Sequence, residues 1–301
     1  MACLLPHLLR VSSVSMAVHD VQSSQDDSRA ALHNDCVLVL AGGGNLGAVQ
    51  AGQIIELLEA GIVPSRIIGC SVGSLNGAFM ASDMSVARAQ QLVDLWLSDR
   101  VNKIFGLHFL AIASNLVRRA DHMLNVHGLR RLIDDEIPFK RLEHSVIPID
   151  MLATNLRRGT SHWFTQGSTT DALCATTALP GIFPPVRIGD ELFVDGGVIN
   201  PSPFGRAFDY SPRQVWVLEM PKRTWMVPRR LNIVDVILRS FTIAAGVTEQ
   251  PEIPGGVEMV HVHTNLAPEK NQGLFVMADF GNGAKYVDAG RASMRDVLSR
   301  R

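Results

Sequence analysis

A serine between glycines is the residue in this sequence whose type and spacing best suit chemistry. Ser71 is the centre of Gly69-Cys-Ser-Val-Gly73, a G-x-S-x-G pattern that follows the short predicted strand Arg66-Ile-Ile. In a nucleophile elbow the serine occupies a tight strand-to-helix turn, and the flanking glycines leave room for the backbone. The amides and the dipole at the start of the following helix favour negative charge nearby. The pattern predicts that Ser71 is the nucleophile of an acyl-transfer reaction.

A glycine-rich loop upstream of this serine could stabilise the charge that acyl transfer creates. The loop Gly42-Gly-Gly-Asn-Leu-Gly47 also matches the dinucleotide-binding pattern G-x-G-x-x-G, but that site needs an acidic residue at the end of the second strand, where Cys70 and Ser71 stand. A Walker A site would need Gly-Lys-Ser/Thr after the loop, which is absent. Acyl transfer builds negative charge on the carbonyl oxygen, and backbone amides can stabilise it. The predicted oxyanion hole comprises Gly42, Gly43, Gly44 and Asn45.

A second group must take the proton of Ser71. The downstream histidines are His108, His122, His127, His144, His162, His261 and His263, and none occupies a distinctive loop. Asp195 follows an apolar run and precedes Gly196-Gly197, which allow a tight turn. A buried carboxylate within hydrogen-bond reach can accept a serine proton, but an aspartate that only caps its own turn has the same pattern. The local pattern of residues leaves both interpretations open.

The elements that must position these residues alternate along the chain. The apolar runs 36–40 and 66–69 lack alternation, which is typical of strands covered on both faces of a parallel sheet. The helical pattern between them ends at Gly61, a suitable C′ glycine. Further strands are predicted at 148–154, 161–165, 186–188, 192–194, 214–219 and 257–264, and helices over most of 84–145, at 231–246 and at 283–300. Strands alternating with helices favour an α/β domain.

Composition excludes several classes of protein. The chain has 301 residues, is 47% hydrophobic and carries a net charge of -1, which fits one large domain and argues against binding nucleic acid. Cys3, Cys36, Cys70 and Cys174 show no metal-ligand spacing, and scattered thiols favour a cytoplasmic protein. No run reaches the roughly 18 apolar residues that a membrane span needs. Residues 1–34 are predicted to be a flexible leader before a domain at 35–301.

The ordered motifs resemble the patatin-like phospholipase family. They are the glycine loop at 42–47, G-x-S-x-G at 69–73 and Asp-Gly-Gly at 195–197, and the stretch 175–186 is similar to the family's block before the aspartate. The resemblance runs from about Cys36 to Pro203. Three motifs in the right order are far more specific than any one of them alone.

The resemblance implies a doubly wound α/β domain with three layers, in which helices flank a mostly parallel sheet and residues 204–301 complete the fold. It also implies hydrolysis of lipid esters without histidine, metal or cofactor. On this interpretation Ser71 attacks the ester carbonyl, Asp195 accepts its proton, and Gly43, Gly44 and their neighbours hold the oxyanion.

One residue departs from the family pattern. The family usually has arginine or lysine before the last glycine of the loop, and this chain has Leu46. The backbone donors remain, but a local positive charge is lost, which bears on how the loop is anchored and on any preference for an anionic headgroup. Leu46 is the only feature that favours one alternative, a lipid-binding or regulatory protein without activity. A conventional Ser-His-Asp esterase also stays open.

An apolar stretch between residues 105 and 116 bears on access to lipid. It is followed by Arg118-Arg119 and fits an acyl-chain channel, a peripheral contact with a membrane interface or a buried helix. Residues 231–246 allow the same interpretations.

Overall fold

A computed structural model describes residues 36–101, 126–221, 251–266 and 281–301, together with 236, 239–240 and 243. The predicted leader at 1–34, the apolar stretch 105–116 and most of the predicted helix 231–246 lie outside the described residues.

Helices and strands follow one another in the described ranges in short runs of each kind. They are β1 (Cys36–Leu40), α1 (Gly47–Glu59), β2 (Arg66–Cys70), α2 (Val72–Ala81), α3 (Val86–Leu97), α4 (His127–Glu136), β3 (Ile149–Asn155), β4 (Thr160–Phe164), α5 (Thr169–Thr176), β5 (Val186–Ile188), β6 (Glu191–Asp195), β7 (Gln214–Leu218), β8 (Glu258–Val262) and α6 (Gly283–Ser299). Short 3₁₀ helices cover Gly44–Leu46, Leu142–His144, Gly196–Val198 and Phe204–Tyr210. The strand predictions agree with these bounds to within a residue or two.

The strands form one mixed sheet. Its order is β5-β6-β3-β2-β1-β7-β8, and β4 also pairs with β3. Strands β3, β2, β1, β7 and β8 are parallel to one another. Strands β4 and β6 are antiparallel to β3, and β5 is antiparallel to β6. The predicted α/β fold with a mostly parallel sheet is therefore confirmed.

The central strands are apolar on both faces because both faces are covered. On β1, Leu38 and Leu40 belong to the main core cluster, which includes buried residues of all six helices. Val37 and Val39 of the same strand belong to a second cluster with Phe204 of the 3₁₀ helix Phe204–Tyr210. A strand buried on both faces needs no polar alternation, which explains the pattern of its sequence.

Strand β3 has three neighbours, and their arrangement decides which residues meet. Strand β4 pairs along the carboxyl-terminal part of β3 on one edge. On the other edge β2 pairs up to Leu152, and β6 pairs from Ala153 onward. Because β2 is parallel and β6 antiparallel to β3, their carboxyl ends meet head-on, with Cys70 opposite Leu152 and Asp195 opposite Ala153.

The described residues contain neither a candidate membrane-spanning helix nor a candidate metal site. No helix among them is both long and apolar enough to cross a bilayer. No group of three or more His, Cys, Asp or Glu side chains in these ranges could hold a metal ion. The three described cysteines, Cys36, Cys70 and Cys174, are buried free thiols.

Helices α1 and α6 cross in direct backbone contact. A Cβ atom added to Gly290 of α6 would lie 2.0 Å from the Val49 carbonyl oxygen of α1. Beside this crossing, the Glu56 carboxylate of α1 pairs with Arg291 at 2.8 Å and with Arg295 at 2.6 Å. The last helix of the chain is thus held against the helix that follows the glycine loop.

Replacing Gly290 with alanine tests this crossing. In an exposed helix the change would stabilise the protein by about 1 kcal/mol. Here the new methyl group would overlap the Val49 carbonyl, so we expect a loss of about 1–3 kcal/mol, measured by urea unfolding. Ala292→Gly, at an exposed position of the same helix, should lose about 1 kcal/mol from helix propensity alone. A more stable Gly290→Ala protein would contradict the close crossing.

Candidate active site

Ser71 occupies a strained turn between β2 and α2. Its backbone has φ 53 and ψ -124, a conformation that costs an L-residue about 1–3 kcal/mol. Gly73 makes the turn possible, because a Cβ atom there would lie 2.1 Å from the Leu40 carbonyl oxygen at the end of β1. The Ser71 carbonyl accepts from the Ser74 amide at 2.9 Å, within the first turn of α2. The turn leaves Ser71 half-buried at the carboxyl ends of the parallel strands.

The Ser71 hydroxyl donates a hydrogen bond to Asp195. The distance from Ser71 Oγ to Asp195 Oδ2 is 2.6 Å across a separation of 124 residues. The other carboxylate oxygen, Oδ1, accepts from the Gly197 amide at 2.7 Å. Asp195 therefore caps its own turn with one carboxylate oxygen and accepts a hydrogen bond from the Ser71 hydroxyl with the other.

Burial makes Asp195 an unusual carboxylate. The residue is 2% exposed, and burial raises its pKa to about 6, although the hydrogen bonds from Ser71 and from the Gly197 amide act in the opposite direction. Such a group is a stronger base than a surface aspartate and is still mostly ionised at neutral pH. Burial, and then the charge of Asp195, also raise the pKa of the Cys70 thiol, which therefore stays protonated.

The glycine loop lies against the serine turn because β1 and β2 are adjacent parallel strands. A Cβ atom on Gly42 would be 3.2 Å from the Cβ atom of Ser71. A Cβ atom on Gly43 would lie 2.4 Å from Met220 Cγ, so no larger residue fits there without displacing that side chain. Gly44 has φ 60, a conformation that favours glycine. Gly42, Gly43 and Gly44 are all half-buried.

The amides of this loop differ in what they bind. The Gly42 amide donates to the Pro201 carbonyl at 2.8 Å, which ties the loop to the chain that follows Asp195. This differs from the prediction that Gly42 is an oxyanion donor, because its only N–H is already used. Among the described residues, no carbonyl accepts from the amides of Gly43 and Gly44. Asn45 is buried, with 1% of its surface exposed.

Leu46 is a residue of the hydrophobic core. It is 3% exposed and belongs to the main core cluster, where an ionised side chain would be costly. The loop is anchored by other contacts. A Cβ atom on Gly47 would be 2.3 Å from a ring carbon of Trp96, and the Gln50 side chain donates to the Ala41 carbonyl at 2.9 Å.

The end of α5 and the residues after it contact both Ser71 and Asp195. The Thr176 hydroxyl accepts from the Ser71 amide at 3.1 Å, and the Ala178 carbonyl accepts from the Asp195 amide at 3.0 Å. In the sequence this stretch is marked only by its similarity to a family block. A threonine at a helix end usually bonds to its own helix, so its residue type alone gave no signal of this contact.

None of the described histidines hydrogen-bonds to Ser71. The His162 ring packs against Phe164 and Phe193, with centroids 4.5 Å and 4.8 Å away, and burial lowers the pKa of this histidine. His261 Nδ1 lies 3.3 Å from a carboxylate oxygen of Glu219. Of the other candidates, His108 and His122 lie outside the described residues.

Comparison with models of protein families identifies the family of this chain. A family model described as patatin-like phospholipase matches residues 38–208, which is more than half of the chain. The chain belongs to the patatin-like phospholipase family. The matched part contains the glycine loop, the serine turn and the Asp-Gly-Gly motif, so the family suggested by the motifs is confirmed.

Known relatives of this patatin-like chain carry names of the NTE family. An uncharacterized NTE family protein of Mycobacterium tuberculosis is 29% identical over 166 residues, which cover 55% of this chain and 43% of that protein. The neuropathy target esterase sws of Drosophila sechellia is 30% identical over 172 residues, which cover 56% of this chain and 11% of that protein. The match spans less than half the length of each relative.

Two solved structures share a distant similarity with this patatin-like chain. VipD of Legionella pneumophila has a TM-score of 0.48 and 14% identity, covering 89% of this chain and 67% of that chain. ExoU of Pseudomonas aeruginosa, in its complex with SpcU, has a TM-score of 0.42 and 17% identity, covering 89% of this chain and 52% of that chain.

Asp195→Asn is expected to stabilise the folded protein at neutral pH. Because the folded-state pKa is raised to about 6, protonation of Asp195 stabilises the fold; this contribution is complete below about pH 4 and is lost as the pH rises through 6. An uncharged amide avoids the loss, so the variant should gain about 3 kcal/mol near pH 8. Urea unfolding of both proteins between about pH 4 and 8 measures the difference.

The control is the buried Asp150, which pairs with Arg66 at 2.7 Å and Arg206 at 2.8 Å. Asp150→Asn should destabilise the protein, because it removes the buried carboxylate from Arg66 and leaves Arg206 with Asp209 at 2.7 Å. A gain for Asp195→Asn that does not change with pH would show that the buried charge is not its cause.

Proposed function

We propose that this protein hydrolyses carboxylic esters of lipids, with Ser71 as the nucleophile and Asp195 as the general base. The observation that carries the proposal is the 2.6 Å hydrogen bond between Ser71 Oγ and Asp195 Oδ2, at the carboxyl ends of the parallel strands. Ligands of open α/β sheets bind at that edge. Membership of the patatin-like phospholipase family supports an acyl lipid as the substrate class.

The first half of the proposed reaction forms an acyl-enzyme. Ser71 Oγ attacks the ester carbonyl carbon while the Asp195 carboxylate takes the hydroxyl proton. The tetrahedral intermediate then collapses, the bond from the carbonyl carbon to the alcohol oxygen breaks, and Asp195 returns the proton to the departing alcohol. Water repeats the sequence in the second half: Asp195 accepts a proton from water, the hydroxide oxygen bonds to the acyl carbon, and Ser71 leaves with the proton. The products are an alcohol and a fatty acid.

The proposed oxyanion hole uses the amides of Gly43 and Gly44, with the neighbouring Asn45 amide as a third candidate. This set is supported by the position of the loop beside Ser71 and by the half-exposed backbone of its glycines. Gly42 is left out because its amide bonds to Pro201. Losing one such donor typically slows turnover roughly 10²–10³-fold.

A carboxylate suffices as the base because its surroundings raise its basicity. The pKa of about 6 is close enough to neutral pH for Asp195 to be mostly ionised and still accept a proton effectively. A Ser-His-Asp mechanism is the weaker alternative, since the described partner of the Ser71 hydroxyl is a carboxylate. Leu46 was the only feature in favour of a non-catalytic protein, and its place in the core removes that argument. Peripheral contact with a lipid surface remains a prediction from sequence.

Two substitutions test the proposed pair. Ser71→Ala and Asp195→Asn should each lower kcat for a p-nitrophenyl ester by about 10⁴-fold or more, because nucleophile and base act as a unit. A fluorophosphonate probe should label the native protein and leave Ser71→Ala unlabelled. Ser145→Ala is the control for both assays, since within the described part of the chain that hydroxyl bonds only to the Leu142 carbonyl of its own turn, at 2.8 Å.

Full activity of Asp195→Asn would overturn the dyad. In that case each of the seven downstream histidines would be replaced by alanine, and a loss of several orders of magnitude at one of them would establish a triad. Failure of the native protein to react with phospholipids, acylglycerols, short esters and the probe would overturn the proposed activity altogether.

The pH dependence gives a separate test of the base. Because Asp195 must be ionised to accept a proton, log kcat/KM should rise with a slope of about one below pH 6 and level off above it. A midpoint near 4, the range of an exposed aspartate, would show that the group that titrates is not the buried Asp195.

A further inference from the structure

The Thr176 side chain hydrogen-bonds to the backbone of the turn at Ser71 and has no role in the reaction proposed above. We infer that the buried hydroxyl of Thr176 positions Ser71. This hydroxyl replaces a hydrogen bond of the sheet at the point where β2 leaves the sheet. It thereby keeps Ser71 Oγ directed at Asp195. This inference rests on the proposed function, because its consequence is measured as turnover.

The ladder between β2 and β3 ends one hydrogen bond early. Ile67 pairs with Ile149, and its amide donates to the Pro148 carbonyl at 3.0 Å. In a parallel ladder the bonded amides of one strand recur at every second residue, because alternate residues face the same edge. Continuing this alternation along β2, the Ser71 amide would donate to the Leu152 carbonyl. At Ser71, however, the chain turns with φ 53 and leaves the sheet.

The Thr176 hydroxyl stands between these two backbone groups. Its oxygen accepts from the Ser71 amide at 3.1 Å, and its proton goes to the Leu152 carbonyl. A hydroxyl has one proton and two lone pairs, so in the 3.2 Å contact between the Thr176 and Ser74 hydroxyls Ser74 must be the donor. Thr176 is 0% exposed, and its hydrogen-bonding capacity is fully used by the serine turn and by β3.

This bridge bears on the strained residue itself. The Ser71 amide is held by Thr176, and the Ser71 carbonyl is held by the Ser74 amide, so the backbone is anchored on both sides of the side chain. Without the hydroxyl, the Ser71 amide and the Leu152 carbonyl would be left without their buried partner. The turn could then relax toward ordinary φ values and carry the Ser71 hydroxyl away from the carboxylate.

The same short segment also holds Asp195. The Ala178 carbonyl accepts from the Asp195 amide at 3.0 Å, and the Asp195 carbonyl accepts from the Thr154 hydroxyl at 2.9 Å. Residues 176 and 178 thus contact the backbones of both members of the pair. The relative position of hydroxyl and carboxylate is set by one end of α5 and not only by the two turns that carry them.

Thr176→Val removes the hydroxyl and keeps the shape of the side chain. We expect kcat to fall about 10²-fold, the cost of a displacement of about 1 Å. KM should stay within about twofold, because no proposed substrate-binding group is removed. Thr176→Ser restores the hydroxyl and should recover most of the lost turnover. The rate of fluorophosphonate labelling of Ser71 should follow the same order without any lipid.

Thr177→Val is the matched control. Thr177 is also buried, at 6% exposed, but its hydroxyl donates at 2.6 Å to the Leu173 carbonyl of its own helix. That variant should keep near-native kcat and labelling, although it too loses a buried hydroxyl. Equal losses in the two valine variants, or no recovery in Thr176→Ser, would show that Thr176 supports the fold in general and does not position Ser71.

Misfolding of Thr176→Val and failure of the proposed function can each be told apart from failure of this inference. If Thr176→Val does not fold, Thr176→Cys retains a weak donor and acceptor and should give a kcat between those of the native protein and the active-site variants; native turnover in Thr176→Cys would contradict the inference. An inactive native protein, or a labelled Ser71→Ala, would instead refute the proposed function.

Discussion

Strands β2 and β6 pair with the same edge of β3. The contact between Ser71 and Asp195 depends on the register at the point where the ends of these two strands meet. The register places Cys70 opposite Leu152 and Asp195 opposite the next residue, Ala153. Because side chains alternate between the faces of a sheet, a slip of one residue in either pairing would turn Asp195 or the serine turn to the wrong side. The 2.6 Å contact across 124 residues is therefore a consequence of strand register more than of the loops around it.

The site combines two features that oppose folding. Ser71 has a backbone conformation that is rare for an L-residue. Asp195 is a buried carboxylate, and none of the groups that shift its pKa is a cation. Both features persist because the packing around them leaves few alternatives. The central sheet is covered on both faces, and a side chain larger than that of glycine does not fit where Gly73 meets the Leu40 carbonyl. The same burial that destabilises the ionised Asp195 makes it basic enough to accept a proton from a hydroxyl.

Much of the fold followed from local patterns. Apolar runs without alternation marked β1 and β2, and Gly61, which has φ 77, marked the end of the helix between them. The tight turn at Ser71 was predictable because its glycines serve a local need, the close approach of the turn to β1. Asp195 was ambiguous from sequence because one carboxylate has two oxygens, and in the structure one caps the local turn while the other contacts Ser71. Leu46 was ambiguous too, since its residue type does not reveal whether it faces the core or the site.

The sequence by itself determined the types of most described elements, the family and the candidate residues Ser71, Asp195 and the glycine loop, because each follows from neighbours within a few positions. Only the tertiary structure decided how these residues are connected. It assigned the Gly42 amide to Pro201, raised the pKa of Asp195 by burial, and placed Thr176 under a serine 105 residues away. These features depend on groups that strand register and packing bring together, and no local pattern encodes the distance between two distant segments.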